Sequence, residues 1–248
     1  MDWDPQRYLD RHGFIIQRGA ALLDLLDPKP GERILDLGCG TGDIASAIAG
    51  RGARVLGVDA SAAMVASARE RFPSLDFRQA DAAELPFRGE FDAVFSHAVL
   101  HWVTQAAETA VGMRHALKPG GRLVAEFGGL RNCAALEAAF ARAMAAAGGP
   151  AYRSPWYFPG LPEYAGLLER HGFIVRAAWY FELPTRLEGE DGLRQWVWQF
   201  LPAYLEGLDS DAVESLFAAM ESELRPSLWH DDAWWTDYRR LRVVAEAT

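Results

Sequence analysis

The chain has 248 residues, of which 50% are hydrophobic and 24% charged; this is long and apolar enough for a sizeable core and unlike a disordered or low-complexity sequence. Asp and Glu number 34 against 25 Lys and Arg, for a net charge of -9. That balance argues against sequence-independent nucleic-acid binding, which needs Lys and Arg to neutralise phosphates, and no basic run suits an anionic membrane surface.

The first half alternates short apolar runs with helical stretches. Strands are expected at 33–37, 54–59, 75–80, 91–96 and 122–127. Helices are expected at 43–49, ending at Gly50, and at 61–72, with Ser61 as its N-cap and Pro73 beyond its end. A third, at 106–117, stops at Lys118-Pro119-Gly120-Gly121. This alternation predicts an α/β fold with a doubly wound, mostly parallel sheet, because right-handed crossovers place helices on both faces.

The second half reads differently. An Ala-rich helix at 132–147 is followed by a helix at 161–170 and a strand at 173–183. Helices at 192–204 and 211–224 precede a last strand at 238–247. Seven of the nine tryptophans fall beyond residue 150, so the large rings are concentrated there. No Gly-, Ser- or Pro-rich linker separates the halves, and one domain with one shared sheet is expected.

Asp36-Leu37-Gly38-Cys39-Gly40-Thr41-Gly42 lies between the first strand and the first helix. In a doubly wound sheet, ligands bind outside the carboxyl ends of the strands, where glycines admit close approach and a helix N-terminus offers N–H groups. A dinucleotide fingerprint would put a third glycine at 43, but Asp43 stands there, a carboxylate where a pyrophosphate would sit. No Walker pattern follows. Asp59 ends the second strand, with Ala60 beside it, and Asp81-Ala82 follows the third. An acid about twenty residues past the first glycine is placed for ribose hydroxyls. A ligand with an amino-acid tail, a ribose and an adenine, but no phosphate, satisfies Asp36, Asp59 and Asp81 together. S-adenosylmethionine is that molecule.

The run 34–42 resembles the first motif of class I S-adenosylmethionine-dependent methyltransferases. Val58-Asp59, Asp81-Ala82, Phe91-Asp92 and 117–121 match the later motifs in order and spacing. Tyr8, the segment 96–102 and the C-terminal region resemble the trans-aconitate methyltransferase-like small-molecule branch, which often carries Asn where this chain has His97. The resemblance implies a seven-stranded sheet whose antiparallel last strand is 238–247. It implies an N-terminal cover at 1–30 that includes Tyr8, a cofactor core at 31–128, and the remaining sheet with a helical cap at 129–248. It also implies an acceptor pocket built by the helical insert, with Trp102, Trp196 and Trp198 as candidates.

Each candidate has a plainer role beside it. Cys39 is a small side chain that fits the loop. Asp59 could cap the helix near Ser61, and Met64 is either core or one wall of the adenine slot. Ser96, His97 and His101 follow the fourth strand, facing the place where a methyl group would lie. The histidines have a suitable pKa for a base, yet buried histidines are commonly structural. Trp196 and Trp198 could be core. No metal is expected, since Cys39 and Cys133 form no pair and no third ligand accompanies the histidines. The N-terminus lacks a signal-peptide pattern and no window approaches ~20 apolar residues, so a cytoplasmic protein is expected. The expected activity is methyl transfer to a small molecule, at a carboxylate or hydroxyl oxygen. A cyclase or decarboxylase using the same pocket, and a cofactor-binding protein without turnover, are the alternatives.

Overall fold

The computed structural model describes residues 22–248. Seven strands form one sheet: β1 (Arg33–Leu37), β2 (Arg54–Asp59), β3 (Asp76–Gln79), β4 (Phe91–His97), β5 (Leu117–Gly128), β6 (Phe173–Glu182) and, last in the chain, Arg239–Ala247. Along the sheet the order is β3-β2-β1-β4-β5, then Arg239–Ala247, then β6 at the edge. β1 pairs in parallel with both β2 and β4, so the order reverses at β1. That reversal opens a crevice at the carboxyl ends of the strands.

The last strand runs antiparallel. Thr248 N donates to Gly172 O at 2.9 Å at one end, and Leu183 N to Tyr238 O at 2.8 Å at the other. The expected seven-stranded, mostly parallel sheet is therefore the observed one.

The chain divides into two compact units. The first takes the described residues up to Gly129, then Trp156–Tyr180 and Leu241–Thr248; the second takes Leu130–Pro155 and Phe181–Arg240. In the first unit both faces of the sheet are covered. Leu35 and Leu37 point into one apolar cluster with Met113 and Leu168, and Ile34 into the other with Ile48 and Ala68. This period of two, with both faces buried, is why the strands read as continuous apolar runs.

The second unit packs α4 (Ala134–Ala146) against α8 (Ser210–Leu228), with α6 (Gly192–Phe200) and α7 (Pro202–Leu205) alongside; α1, α2, α3 and α5 are Asp43–Gly50, Ala62–Arg71, Ala106–Ala116 and Leu161–Arg170. The helix expected at 192–204 is broken. Leu201 leaves helical geometry (φ -130°, ψ 29°) ahead of Pro202, which has no N–H to give and disfavours a helical predecessor. The helix expected to end at 224 continues to Leu228, with Pro226 inside its last turn. A small sheet was not legible: β7 (Thr185–Arg186), β8 (Trp229–His230) and β9 (Ala233–Thr236) are two to four residues long, too short to show a period. The expected stop at 118–121 is a bulge inside β5: Phe91 pairs with Leu117 and Ala93 with Arg122, so Asp92 alone faces four residues.

Candidate functional site

The loop from Gly38 to Gly42 crosses the end of β2. The N–H groups of Gly38 and Cys39 both donate to Val58 O, at 2.7 and 2.9 Å. Gly38 (φ +78°) has no room for a side chain, since an added Cβ would lie 2.1 Å from Val99 Cγ2. Gly42 (φ +85°) is blocked by Phe77, at 2.8 Å. Gly40 (φ +52°) differs, because among the described residues nothing lies within 4 Å of its Cβ position. Two of the three glycines thus serve packing, and Gly40 presents bare backbone to open space. Cys39 is buried, and burial pushes its thiol up, away from any nucleophilic role.

The acids gather beneath this loop. Asp36 is 2% exposed, and among the described residues its Oδ2 has no hydrogen-bond partner. Burial, and then the neighbouring Asp59 charge, push its carboxyl up to about 7; the Ala45 N–H opposes them. Asp59 Oδ2 accepts from Gly40 N at 3.0 Å and Oδ1 from Ser61 N at 2.9 Å. Burial nevertheless leaves its carboxyl above the ordinary range. One carboxylate therefore fixes both the open glycine and the start of α2, while Ser61 Oγ caps that helix through Met64 N at 3.3 Å. Met64 is buried. Ala60 is exposed and its carbonyl accepts from Gln79 Nε2. Asp81 is exposed and accepts from Ala83 N at 2.9 Å, capping the short 3-10 turn Ala82–Glu84, in which Ala82 is buried. Asp43 pairs with Arg71 at 2.6 Å, so the N-terminus of α1 already carries a carboxylate.

The other wall comes from the end of β4. Ser96 Oγ donates to Leu37 O at 2.9 Å, tying β4 to β1. His97 Nε2 lies 3.6 Å from Glu126 Oε1, and Arg242 Nε donates to Glu126 Oε2 at 2.7 Å. Burial pushes the Glu126 carboxyl up, but His97 and Arg242 outweigh it and hold it below the usual range. Ala98 takes a left-handed conformation (φ +59°) that swings the chain into the turn Leu100–Trp102. His101 Nδ1 accepts from Gly128 N at 3.2 Å, so the neutral ring carries its proton on Nε2. Trp102 stands edge-on to Trp156 at 5.5 Å, and His101 tilts against Phe158 at 5.8 Å.

Tyr8 lies outside the described residues. In the second unit Trp196 is 3% exposed and donates from Nε1 to Tyr238 Oη at 2.7 Å, whereas Trp198 is 41% exposed and meets Phe217. Sequence reasoning missed Glu126 and Arg242. A signal was present: Glu126 is a charged residue inside the apolar run 122–127.

Residues 35–125 match the methyltransferase domain family. Over 237 residues the chain is 32% identical to a trans-aconitate 2-methyltransferase of Methylobacterium nodulans, covering 90% of this chain and 89% of that one. It is 34% identical to a trans-aconitate 2-methyltransferase of Deinococcus radiodurans over 233 residues, 87% and 88% of the two chains. The chain belongs to the class I S-adenosylmethionine-dependent methyltransferases. The fold agrees: a Bacillus halodurans methyltransferase structure superposes with a TM-score of 0.67 at 18% identity, over 92% of this chain and 97% of that one. As a methyltransferase of this class, the chain takes S-adenosylmethionine as its cofactor. The loop fits such a group: a buried carboxylate oxygen lacks a donor, and the bare backbone of Gly40 faces open space.

Proposed function

We propose that this methyltransferase acts on a small organic molecule and transfers the methyl group to a carboxylate or hydroxyl oxygen. The seat of the cofactor rests on one observation, the unpartnered buried Oδ2 of Asp36 beside the open face of Gly40. Asp36 would receive the ammonium end, with Gly38, Cys39 and Gly40 giving the backbone bed. Asp59 would take ribose hydroxyls with its remaining lone pairs and Ala60 would border them. Asp81 and Ala82 would meet the adenine, with Met64 beneath, and Ser96 and His97 would line the far side. Bound S-adenosylmethionine supplies an electrophilic methyl group on sulfur. The chain's own task is then alignment and exclusion of water.

The two histidines differ in what they can do. The Glu126 carboxylate near His97 favours the protonated imidazole and so makes that ring the better proton acceptor. His101 already spends Nδ1 on Gly128. A hydroxyl acceptor would therefore lose its proton to His97, while a carboxylate acceptor needs no base. The similarity to enzymes that methylate trans-aconitate, spanning nearly nine-tenths of each chain, supports an organic acid as acceptor. Trp102 borders the β4 turn and is the nearest aromatic candidate for the acceptor pocket; Trp196 and Trp198 are weaker ones, the first being sealed in its unit's core.

The test is a methylation screen over small acids, phenols and amines, with both methylated product and S-adenosylhomocysteine measured. Product from an acid or hydroxyl compound is expected. Product from amines alone would overturn the oxygen-acceptor reading. Cofactor binding without product from any compound would favour a binding protein instead.

A further inference from the structure

Glu126 stands in an unfavourable place for a charge. It lies in β5 between Ala125 and Phe127, both fully buried, and is itself 2% exposed. A buried ion pair often stabilises a fold less than apolar side chains of similar volume would, so stability is a poor reason for a carboxylate here. Its neighbours give a better one. By strand register Glu126 sits directly opposite His97, and the Ala98 N–H donates to the Glu126 carbonyl at 2.8 Å. The last strand runs along the other side of β5 and brings Arg242. His97, Glu126 and Arg242 thus form a row across three adjacent strands, all within the first unit.

The contacts divide the carboxylate between its two partners. Arg242 places Nε and Nη2 on the same oxygen, Oε2, at 2.7 and 2.6 Å. Arg122, by contrast, spreads Nη1 and Nη2 over both oxygens of Glu32. Oε1 of Glu126 is left toward His97, with Nε2 at 3.6 Å, inside ion-pair range and long for a hydrogen bond. A carboxylate beside Nε2 favours the neutral ring that keeps its proton on that nitrogen, and the lone pair then lies on Nδ1. Burial opposes ionisation of the Glu126 carboxyl, and His97 and Arg242 together keep it charged.

We propose that Arg242 is a positioning residue for methyl transfer: by holding Oε2 of Glu126 it aims Oε1 at His97 and makes Nδ1 the atom that takes a proton from a hydroxyl acceptor. The inference rests on the reading of His97 as the base. The acceptor's O–H bond breaks, its proton goes to Nδ1, and its electron pair stays on the oxygen that receives the methyl group. The imidazolium so formed faces the Glu126 carboxylate. Arg242 acts only through Glu126.

The experiment compares Arg242→Met, Arg242→Lys, Glu126→Gln, the double variant Glu126→Gln/Arg242→Met and His97→Gln. The first readout needs no acceptor: nitrogen NMR of His97, at a pH where the ring is neutral, reports which nitrogen carries the proton. The unaltered protein should show it on Nε2, Arg242→Met should show a mixture with Nδ1, and Arg242→Lys should lie between. The second readout is kcat with the hydroxyl acceptor that the methylation screen yields. His97→Gln should lose roughly 100-fold or more and Arg242→Met roughly tenfold or more, with Arg242→Lys recovering part, as for removal and misalignment of a general base. Calorimetry should give one S-adenosylmethionine affinity for all variants, which also shows that each is folded. Arg242→Met leaves a buried carboxylate uncompensated and can unfold the chain; the double variant removes that charge, and with Arg242→Lys it then decides. On top of Glu126→Gln, the Arg242→Met change should add less than about a twofold loss in kcat, because residues acting through one another are not additive. A proton fixed on Nε2 in Arg242→Met and Arg242→Lys alike, or a full further loss in the double variant, would overturn the positioning role and leave the His97 base standing. Unchanged kcat in His97→Gln, or a screen yielding methylated carboxylates alone, would remove the base and this inference with it.

Discussion

Asp36→Asn is the sharpest test of the cofactor seat, because it should act in opposite directions on stability and on binding. The Asp36 carboxyl rises from 3.8 to about 7 on folding, chiefly through burial. A carboxyl raised by folding gives stability that is complete below the unfolded value and is lost as pH climbs through about 7. At about 1.4 kcal/mol per unit, roughly three units put the ceiling of that loss near 4 kcal/mol. Asn has nearly the same shape and no charge to lose. Without cofactor, Asp36→Asn should therefore match the unaltered protein below about pH 4, draw ahead of it as pH rises from there to about 7, and melt above it at pH 8, by up to roughly 8–16 °C. Binding should move the other way. An ammonium partner keeps Asp36 ionised, so S-adenosylmethionine affinity should fall as pH drops below about 7. The variant should bind about 1.5–3 kcal/mol more weakly, as for a lost hydrogen bond to a charged group, and its affinity should not vary with pH over that range. Melting across roughly pH 3.5–8.5, with calorimetry at the same pH values where the protein is folded, reads both effects. A variant less stable than the unaltered protein at every pH, with undiminished affinity, would refute the seat and make Asp36 a structural acid.

The loop glycines should separate in the same way. Gly38→Ala drives a methyl into Val99 and should lower stability by about 1–3 kcal/mol in a denaturant titration. Gly40→Ala meets only the ~1 kcal/mol strain of its left-handed backbone, yet should weaken cofactor binding severalfold; equal affinity would show that its open face is idle. Glu126→Gln removes the carboxylate beside His97 and should make that ring harder to protonate, read by NMR titration, and an unchanged titration would remove Glu126 as its partner. Trp196→Ala should lose roughly 3–5 kcal/mol of stability with cofactor affinity intact, while Trp198→Ala, at 41% exposure, should lose much less. Similar melting temperatures for the two would contradict the burial difference.

Much of the first unit was legible because its signals are local. A strand buried on both faces must read as an unbroken apolar run, as Ile34-Leu35 and Val55-Leu56 do, and a helix start must be capped, as Ser61 caps α2. The second unit resisted because its elements are set by contacts distant in sequence. Strands of two to four residues show no period, and α8 runs through Pro226 where a local rule would stop it. Spacing also placed the glycine loop but could not divide its labour. Gly38 and Gly42 look the same in sequence as Gly40, and only the positions of Val99 and Phe77 show that they are filled while Gly40 is open.

The charged residues make the same point more strongly. Asp36 is one charge in an ordinary-looking strand, and nothing beside it in the sequence says whether a partner waits across the fold. Arg242 does find one in Glu126, 116 positions away. Pairing is a property of the folded chain, so the absence of pairing is too. A buried polar atom without a partner marks where the chain's own chemistry is incomplete, and among the described residues there are two such atoms, Asp36 Oδ2 and Asp237 Oδ1. Among the described residues Asp36 Oδ2 lacks a donor, and the ammonium end of the cofactor is the group that would supply one.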